Sequence, residues 1–111
     1  ELRTVLLHGA RATGLDACEE GTYGATQGPR LETAAEIDRM ERDGCDIVGM
    51  TGMPETSLAR EIGLCYATCA VCANWAAGRG PSEITIEDIR EALRGGMEKV
   101  GKLLHAVVPM L

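Results

Sequence analysis

Two hydrophobic periods alternate along this chain. In four segments, apolar residues recur three and four positions apart, which is the pattern of a helix with one buried face. Capping signals agree with that pattern, because Thr33 and Thr85 each stand three positions before an acidic partner, Glu36 and Asp88. The sequence predicts helices over residues 2–14, 33–44, 54–63 and 85–107.

Three extended segments lie between these helices. Residues 22–26 alternate along the chain, whereas residues 47–50 and 64–73 are apolar runs typical of strands buried on both faces. Helix and strand thus alternate throughout, which predicts an α/β fold with a mostly parallel sheet flanked by helices. Because three short strands make a small sheet and the chain opens on Glu1, we expect a longer polypeptide.

Composition narrows the class of protein. The 111 residues are 45% hydrophobic, which suits one domain with one modest core. A net charge of −6 disfavours binding to nucleic acid or to an anionic membrane surface. No apolar run approaches the roughly 20 residues that span a bilayer, and no signal peptide opens the chain, so we expect a cytoplasmic protein.

Five cysteines raise the question of a metal or cluster site. Cys65, Cys69 and Cys72 have the spacing with which radical S-adenosylmethionine enzymes hold a four-iron cluster. However, their apolar run lacks a Gly or Pro to form a ligand loop, and in a strand the outer sulfurs would lie about 20 Å apart. These residues favour buried, reduced thiols, with the cluster as the alternative, and predict no cofactor.

Candidate chemistry lies in the loops next to the predicted strands, where ligands of open α/β sheets bind. Thr51 stands between a predicted strand and a helix, so its hydroxyl and the following N–H groups could meet an anion. Glu32 follows the turn at Pro29, and Asn74 follows the third predicted strand. Each also fits a plain structural role: Thr51 as a helix cap, Glu32 as a carboxylate at a helix N-terminus, and Asn74 as a turn residue.

Six motifs in and around these loops match a known family. They are Gly21-Thr22-Tyr23, Gly28 to Glu36, Val48 to Glu55, Leu58 to Glu61, Cys65-Tyr66-Ala67 and Asn74. In them the chain resembles the purine nucleoside phosphorylase and methylthioadenosine phosphorylase family, in particular its trimeric branch. The resemblance implies that residues 1–111 are the C-terminal half of a single nucleoside phosphorylase domain. The family's glycine-rich phosphate loop and phosphate-binding Arg have no counterpart here.

The resemblance implies phosphorolysis, in which phosphate attacks the anomeric carbon of a nucleoside and the purine leaves. Phosphate is then a co-substrate, and no cofactor is needed. Carried over to this chain, Thr51 would donate to phosphate, Met50 would pack against the ribose, and Tyr23 would lie near a ribose hydroxyl. Leu31 would cover one face of the base, where the family often has Phe.

The same resemblance bears on the base. Family members that act on adenine carry Asp where this chain has Asn74 and Ala76, and tend to have Ser at Glu32. A 6-oxopurine offers an O6 acceptor and an N1–H donor, so Asn74 can donate to O6 or N7 while Glu32 accepts from N1–H. The base would then lie along Asn74, Trp75 and Ala76, with catalytic roles for Asn74 and Thr51.

A further segment bears on the 5′ end of the sugar. Family members that act on ordinary nucleosides place a His there, whereas methylthionucleoside enzymes carry apolar residues. This chain has Ile84 and Ile86 around Thr85. Dry contact with an alkylthio group is worth about 25 cal/mol per Å2 buried, although Ile84 and Ile86 also fit plain core packing.

Taken together, these features favour 5′-methylthioinosine as the substrate, yielding hypoxanthine and 5-methylthioribose 1-phosphate. Phosphorolysis of inosine or guanosine and phosphorolysis of methylthioadenosine are the alternatives. The resemblance also implies a homo-oligomer, a trimer or a dimer of trimers, whose partners are the nucleoside and phosphate. Without the first half of the site, we expect residues 1–111 alone to be inactive.

Overall fold

A computed structural model describes residues 1–81 and 83–111. In chain order its elements are α1 (Leu2–Ala12), β1 (Tyr23–Ala25), α2 (Ala34–Arg42), β2 (Ile47–Gly49), α3 (Glu55–Glu61), α4 (Ile86–Val107) and a final 3-10 turn (Val108–Met110). The four predicted helices and the first two predicted strands are confirmed, close to their expected bounds. No helix in the described ranges is long and apolar enough to cross a membrane.

The two strands pair in parallel, with helix α2 as the crossover between them. Tyr23 lies opposite Ile47, and Ala25 lies opposite Gly49. The Thr26 N–H donates to the Gly49 carbonyl over 2.9 Å and continues the pairing one residue past β1. The predicted α/β class with a parallel sheet is therefore confirmed, and both strands end at the same edge.

The third predicted strand, at residues 64–73, is wrong. This segment carries no regular secondary structure, and no ladder joins it to another described residue. Strand formation needs a neighbour with a matching row of N–H and C=O groups, and β1 and β2 pair only with each other. Most of its side chains are exposed, Leu64 by 61% and Tyr66 by 39%. A Cβ on Gly96 of α4 would lie 2.3 Å from Val71 Cγ1, so the segment contacts this helix directly.

The expectation of buried thiols in that segment is also wrong. Cys65, Cys69 and Cys72 are exposed, and none of the chain's cysteines is in a disulfide. Cys65 Sγ accepts a hydrogen bond from the Leu2 N–H over 3.2 Å. The thiols are exposed because residues 64–73 do not form the inner strand of a covered sheet.

A small core joins the first helix to the last. Ala10 of α1 packs with Leu103 and Val107 of α4, all buried. A Cβ on Gly9 would lie 2.3 Å from Val107 Cγ2, so glycine is what lets the two helices approach this closely. Because this core lies away from the strand ends, it supports the candidate site only indirectly.

Helix α2 is positioned by the predicted capping box. Thr33 Oγ1 accepts from the Glu36 N–H over 3.3 Å, and Glu36 Oε2 accepts from the Thr33 N–H over 2.7 Å. Thr85 caps α4 in the predicted way, its hydroxyl accepting from the Asp88 N–H over 3.2 Å. The α2 cap fixes the start of the helix directly after Glu32.

Candidate functional site

Tyr23 and Thr51 meet at the carboxyl ends of the two strands. The Tyr23 hydroxyl oxygen accepts from the Thr51 N–H over 3.2 Å and lies 3.4 Å from Thr51 Oγ1. If the phenol donates to Thr51 Oγ1, the threonine's own proton remains available to an outside acceptor. The structure thus brings together the residue expected at the ribose and the one expected at phosphate.

Two glycines make room for the Tyr23 ring. A Cβ on Gly49 would lie 2.2 Å from the Tyr23 hydroxyl oxygen, and one on Gly52 would lie 2.9 Å from a ring carbon. Real Cβ atoms do not approach that closely, so side chains at these two positions would displace the ring. Helix α3 beyond this turn has only seven residues. We therefore expect the Thr51 hydroxyl, and not the dipole of this short helix, to attract an anion here.

Glu32 is held by a residue that sequence reasoning missed. Thr26 Oγ1 donates to Glu32 Oε1 over 2.5 Å, while the Thr26 backbone is fixed to β2 through Gly49. Glu32 is half-buried, and its Oε2 accepts no hydrogen bond from the residues described. Its carboxylate therefore lies at the strand-end edge with one oxygen engaged and one free.

A shallow pocket of about 200 Å3 opens beside Glu32, on the side of helix α2. Its lining residues are Ala25, Thr26, Gln27, Arg30, Glu32, Glu36, Arg39 and Met40. This volume is below the roughly 300 to 1,000 Å3 of typical small-molecule sites. Tyr23 and Met50, expected at the ribose, and Leu31, expected on the base, do not line it. The pocket is therefore the surrounding of the Glu32 carboxylate and not an enclosed nucleoside cavity.

An ion pair dominates the charge of this pocket. Arg30 makes two hydrogen bonds to the Glu36 carboxylate, of 2.7 and 2.9 Å. This guanidinium, together with the Thr33 N–H and hydroxyl, lowers the pKa of Glu36 to about 2. Glu36 in turn raises the pKa of Arg30. Arg30 is thereby engaged by Glu36, next to the carboxylate of Glu32.

Asn74 does not face Glu32. Its side-chain amide nitrogen donates to the Trp75 carbonyl over 2.7 Å, and no hydrogen bond joins it to Glu32 in the described structure. Trp75 is 68% exposed, and Ala76 is half-buried. The convergence of Asn74 and Glu32 on one base stays a prediction. The Asn74 amide has a second N–H, which is left for the base while the first donates to the Trp75 carbonyl.

A second missed residue, Arg79, ties the Asn74 loop to α2. Its guanidinium donates to Asp38 over 2.8 Å and also to Glu41. Gly78 lies close to the start of the same helix, since a Cβ there would be 3.0 Å from Ala34 Cβ. Thr26 and Arg79 stand apart from the motifs. Arg79 finds its partners on a distant helix, whereas Thr26 finds Glu32 within the irregular loop that joins β1 to α2.

The apolar candidates lie on open surface. Leu31 is 47% exposed and Met50 is 39% exposed, and the Met50 sulfur sits against Gly28, where a Cβ would be 2.6 Å away. Ile84 is half-buried and Ile86 is 61% exposed, on either side of the α4 cap. Their roles at the ribose, base and 5′ end stay predictions.

Comparison with known proteins places this geometry in context. Over 107 residues the chain is 54% identical to a protein of Pseudomonas syringae pv. tomato named probable S-methyl-5′-thioinosine phosphorylase, covering 96% of this chain and 44% of that one. It is 43% identical over 111 residues to the 6-oxopurine nucleoside phosphorylase of Pyrococcus furiosus, covering 42% of it. The chain therefore spans less than half the length of these curated relatives.

Solved structures and family models agree with each other. Methylthioadenosine phosphorylase from Schistosoma mansoni, in complex with adenine, superimposes with a TM-score of 0.89 at 27% identity, covering 98% of this chain and 44% of that one. The model of the phosphorylase superfamily matches residues 1–109. Since that match covers nearly all of the sequence, this chain belongs to the phosphorylase superfamily.

Proposed function

We propose that the complete protein carrying this sequence catalyses phosphorolysis of 5′-methylthioinosine. Phosphate attacks the anomeric carbon, the bond from that carbon to the purine nitrogen breaks, and hypoxanthine and 5-methylthioribose 1-phosphate leave. The observation that carries the proposal is the Glu32 carboxylate, held at the strand-end edge with one oxygen free. Relatives named as S-methyl-5′-thioinosine phosphorylases, at 54 and 55% identity, support the same reaction.

Glu32 supplies the discrimination between bases in this proposal. Its free oxygen accepts the N1–H of hypoxanthine, whereas adenine presents a lone pair at N1 and forms no hydrogen bond with it. Asn74 donates from its amide to O6 or N7 as charge builds on the departing base. For that, the amide uses the N–H that does not donate to the Trp75 carbonyl, while Trp75 and Ala76 border the ring. Leu31 covers one face of it.

Thr51 and Tyr23 act on the sugar side. The Thr51 hydroxyl donates to phosphate. Its proton is left for phosphate when the Tyr23 phenol donates to Thr51 Oγ1, which lies 3.4 Å away. Tyr23 and Met50 border the ribose, so that phosphate and the anomeric carbon are held in contact. Ile84 and Ile86 provide apolar contact for the methylthio group.

The alternatives are a 6-oxopurine nucleoside phosphorylase, as in the Pyrococcus furiosus relative, and a methylthioadenosine phosphorylase, as in the Schistosoma mansoni structure. An assay of the complete protein with phosphate and four nucleosides separates them. We expect kcat/KM to fall in the order methylthioinosine, inosine, methylthioadenosine, adenosine. Equal rates with methylthioinosine and inosine would contradict the apolar 5′ contact proposed for Ile84 and Ile86. Preference for a 6-amino base would overturn the role of Glu32.

Assembly and location complete the proposal. We infer a homo-oligomer, a trimer or a dimer of trimers, that acts in the cytoplasm on small molecules alone. Light scattering coupled to size exclusion on the complete protein tests the assembly, and a monomeric, fully active enzyme would refute it.

A further inference from the structure

We propose that Thr26 is the positioning residue that sets base specificity, because it fixes which oxygen of Glu32 faces the base. The inference rests on the function proposed above and deepens it. Thr26 acts through Glu32 and does not itself touch the substrate.

Thr26 is well anchored for such a role. It directly follows β1, and its N–H donates to the Gly49 carbonyl of β2 over 2.9 Å. The side chain is half-buried, and its Oγ1 lies 3.3 Å from the same carbonyl oxygen. Thr26 therefore presents its hydroxyl from the rigid part of the sheet, whereas Glu32 reaches it from the loop that precedes α2.

The Thr26 hydroxyl has one proton and two acceptors within reach. Glu32 Oε1 lies 2.5 Å from Thr26 Oγ1, and the Gly49 carbonyl oxygen lies 3.3 Å from it. The shorter distance is typical of a hydroxyl that donates to a carboxylate. The proton therefore goes to Glu32, which engages Oε1 and leaves Oε2 as the free acceptor.

Without that hydroxyl, Glu32 would have strong competing partners. Arg30 and Arg39 line the same pocket, and the charge of Glu32 already contributes to the raised pKa of Arg30. A flexible glutamate released from Thr26 would turn toward these guanidinium groups, because they would then be the strongest hydrogen-bond donors that line the pocket. It would then no longer present a fixed oxygen to the base.

The consequence is specific to the 6-oxo bases. A fixed Oε2 accepts N1–H from hypoxanthine, whereas the N1 lone pair of adenine gains nothing from it. Loss of the Thr26 hydroxyl should therefore weaken reaction with 6-oxopurine nucleosides and leave reaction with 6-aminopurine nucleosides nearly unchanged. A purely structural role for Thr26 would instead lower both.

The test uses the complete protein with Thr26→Val, which keeps the shape and removes the hydroxyl, and Thr26→Ser, which keeps the hydroxyl. For Thr26→Val we expect kcat/KM with methylthioinosine to fall about 10- to 100-fold, and with methylthioadenosine by no more than about twofold. Thr26→Ser should stay within about threefold of the wild type on both. Should Thr26→Val fail to fold, Thr26→Ala replaces it with the same expectation.

A matched control is Thr13→Val, outside the site. The Thr13 hydroxyl also bonds to backbone carbonyls, at 2.8 Å from Gly9 and 3.2 Å from Ala10, so its removal carries a similar structural cost. The ratio of the two kcat/KM values should not change in this variant. Calorimetry supplies a second readout, in which Thr26→Val weakens hypoxanthine binding about tenfold or more and leaves phosphate binding unchanged.

A double-mutant cycle assigns the effect to Glu32. In a Glu32→Gln background, Thr26→Val should change hypoxanthine binding by less than about twofold, since the charged acceptor is gone. Equal losses on both bases, no loss, or a full loss in the Glu32→Gln background would each overturn the role of Thr26. If the wild type prefers 6-amino bases, the proposed function itself fails and this inference falls with it.

Discussion

At the scale of single residues, the candidate site depends on glycines that let the Tyr23 side chain lie close to the backbone of β2 and of the turn after it. Tyr23 reaches Thr51 only because Gly49 and Gly52 leave space for its ring. Gly49 also accepts a hydrogen bond from the Thr26 N–H through its carbonyl. One glycine therefore contacts both Tyr23, which is proposed for the sugar, and Thr26, which holds the carboxylate proposed for the base.

We predict that Gly49→Ala separates Tyr23 from Thr51. The added methyl group would overlap the Tyr23 hydroxyl, and relieving such overpacking costs roughly 1–3 kcal/mol. We expect kcat/KM for phosphate in the complete protein to fall about tenfold. The control is Gly101→Ala in α4, where nothing lies within 4 Å of the new methyl group. That change should raise unfolding stability by about 0.5–1 kcal/mol and leave kinetics intact. Unchanged phosphate kinetics in Gly49→Ala would contradict this account.

Glu36 offers a pH prediction at the same scale. Arg30 and Thr33 depress its pKa from 4.5 to about 2 in the folded chain. A lowered folded-state pKa means that the carboxylate stabilises the fold fully above about pH 4.5, and that this contribution is lost as the pH falls toward 2. We expect Glu36→Gln to lower the melting temperature at pH 6, with the gap to wild type closing below pH 4. A gap that stays constant from pH 6 to pH 2.5 would refute the assignment.

At the scale of elements, helix α2 connects the two loops that carry Glu32 and Asn74. Its capping box fixes the end next to Glu32, and its acidic residues Asp38 and Glu41 hold Arg79 from the Asn74 loop. The two residues expected to meet on the base thus connect to one helix. Their relative position depends on how firmly Arg79 holds the loop.

We predict that Arg79→Met loosens the Asn74 loop with little effect on stability. Exposed ion pairs are worth about 0–1 kcal/mol, so the melting temperature of the complete protein should fall by only a few degrees. The KM for the nucleoside should rise about fivefold, while kcat falls less. Arg11→Met is the matched control, because Arg11 pairs with the exposed Glu19 away from the site. If both variants behave alike, Arg79 has no positioning role.

Local structure could be predicted from the sequence, whereas contacts and pairings between distant or irregular segments could not. Both capping threonines were readable, because a cap and its partner lie three residues apart. Residues 64–73 were misread as a strand, since an apolar run has the same appearance beside a helix as inside a sheet. Arg79 was missed because its partners, Asp38 and Glu41, lie far away in the sequence on α2. Thr26 was missed because Glu32 lies six residues further along the same irregular loop, a spacing that no helix or strand period marks.

At the scale of the whole molecule, apolar surface is the dominant feature. Among the described residues, only Ala10, Ile37, Leu103 and Val107 form buried hydrophobic positions. Fifteen large hydrophobic side chains are exposed, including Ile62 at 73%. Monomeric proteins rarely leave this many large apolar side chains exposed around so small a core unless some of that surface serves as an interface. The same chain covers only 44% of the Pseudomonas syringae relative.

We therefore predict that residues 1–111, produced alone, do not form a cooperative fold. So small a core falls short of what offsets the conformational entropy lost on folding, which is roughly 1–2 kcal/mol per residue. The isolated segment should bind the dye ANS strongly and melt without a sharp transition, whereas the complete protein should bind little dye and melt sharply. Exposure is the cause, so Ile62→Asp should reduce dye binding to the segment. A segment that melts sharply, binds no ANS and stays monomeric would contradict this prediction. It would show that residues 1–111 fold cooperatively without another protein segment packed on their apolar surface.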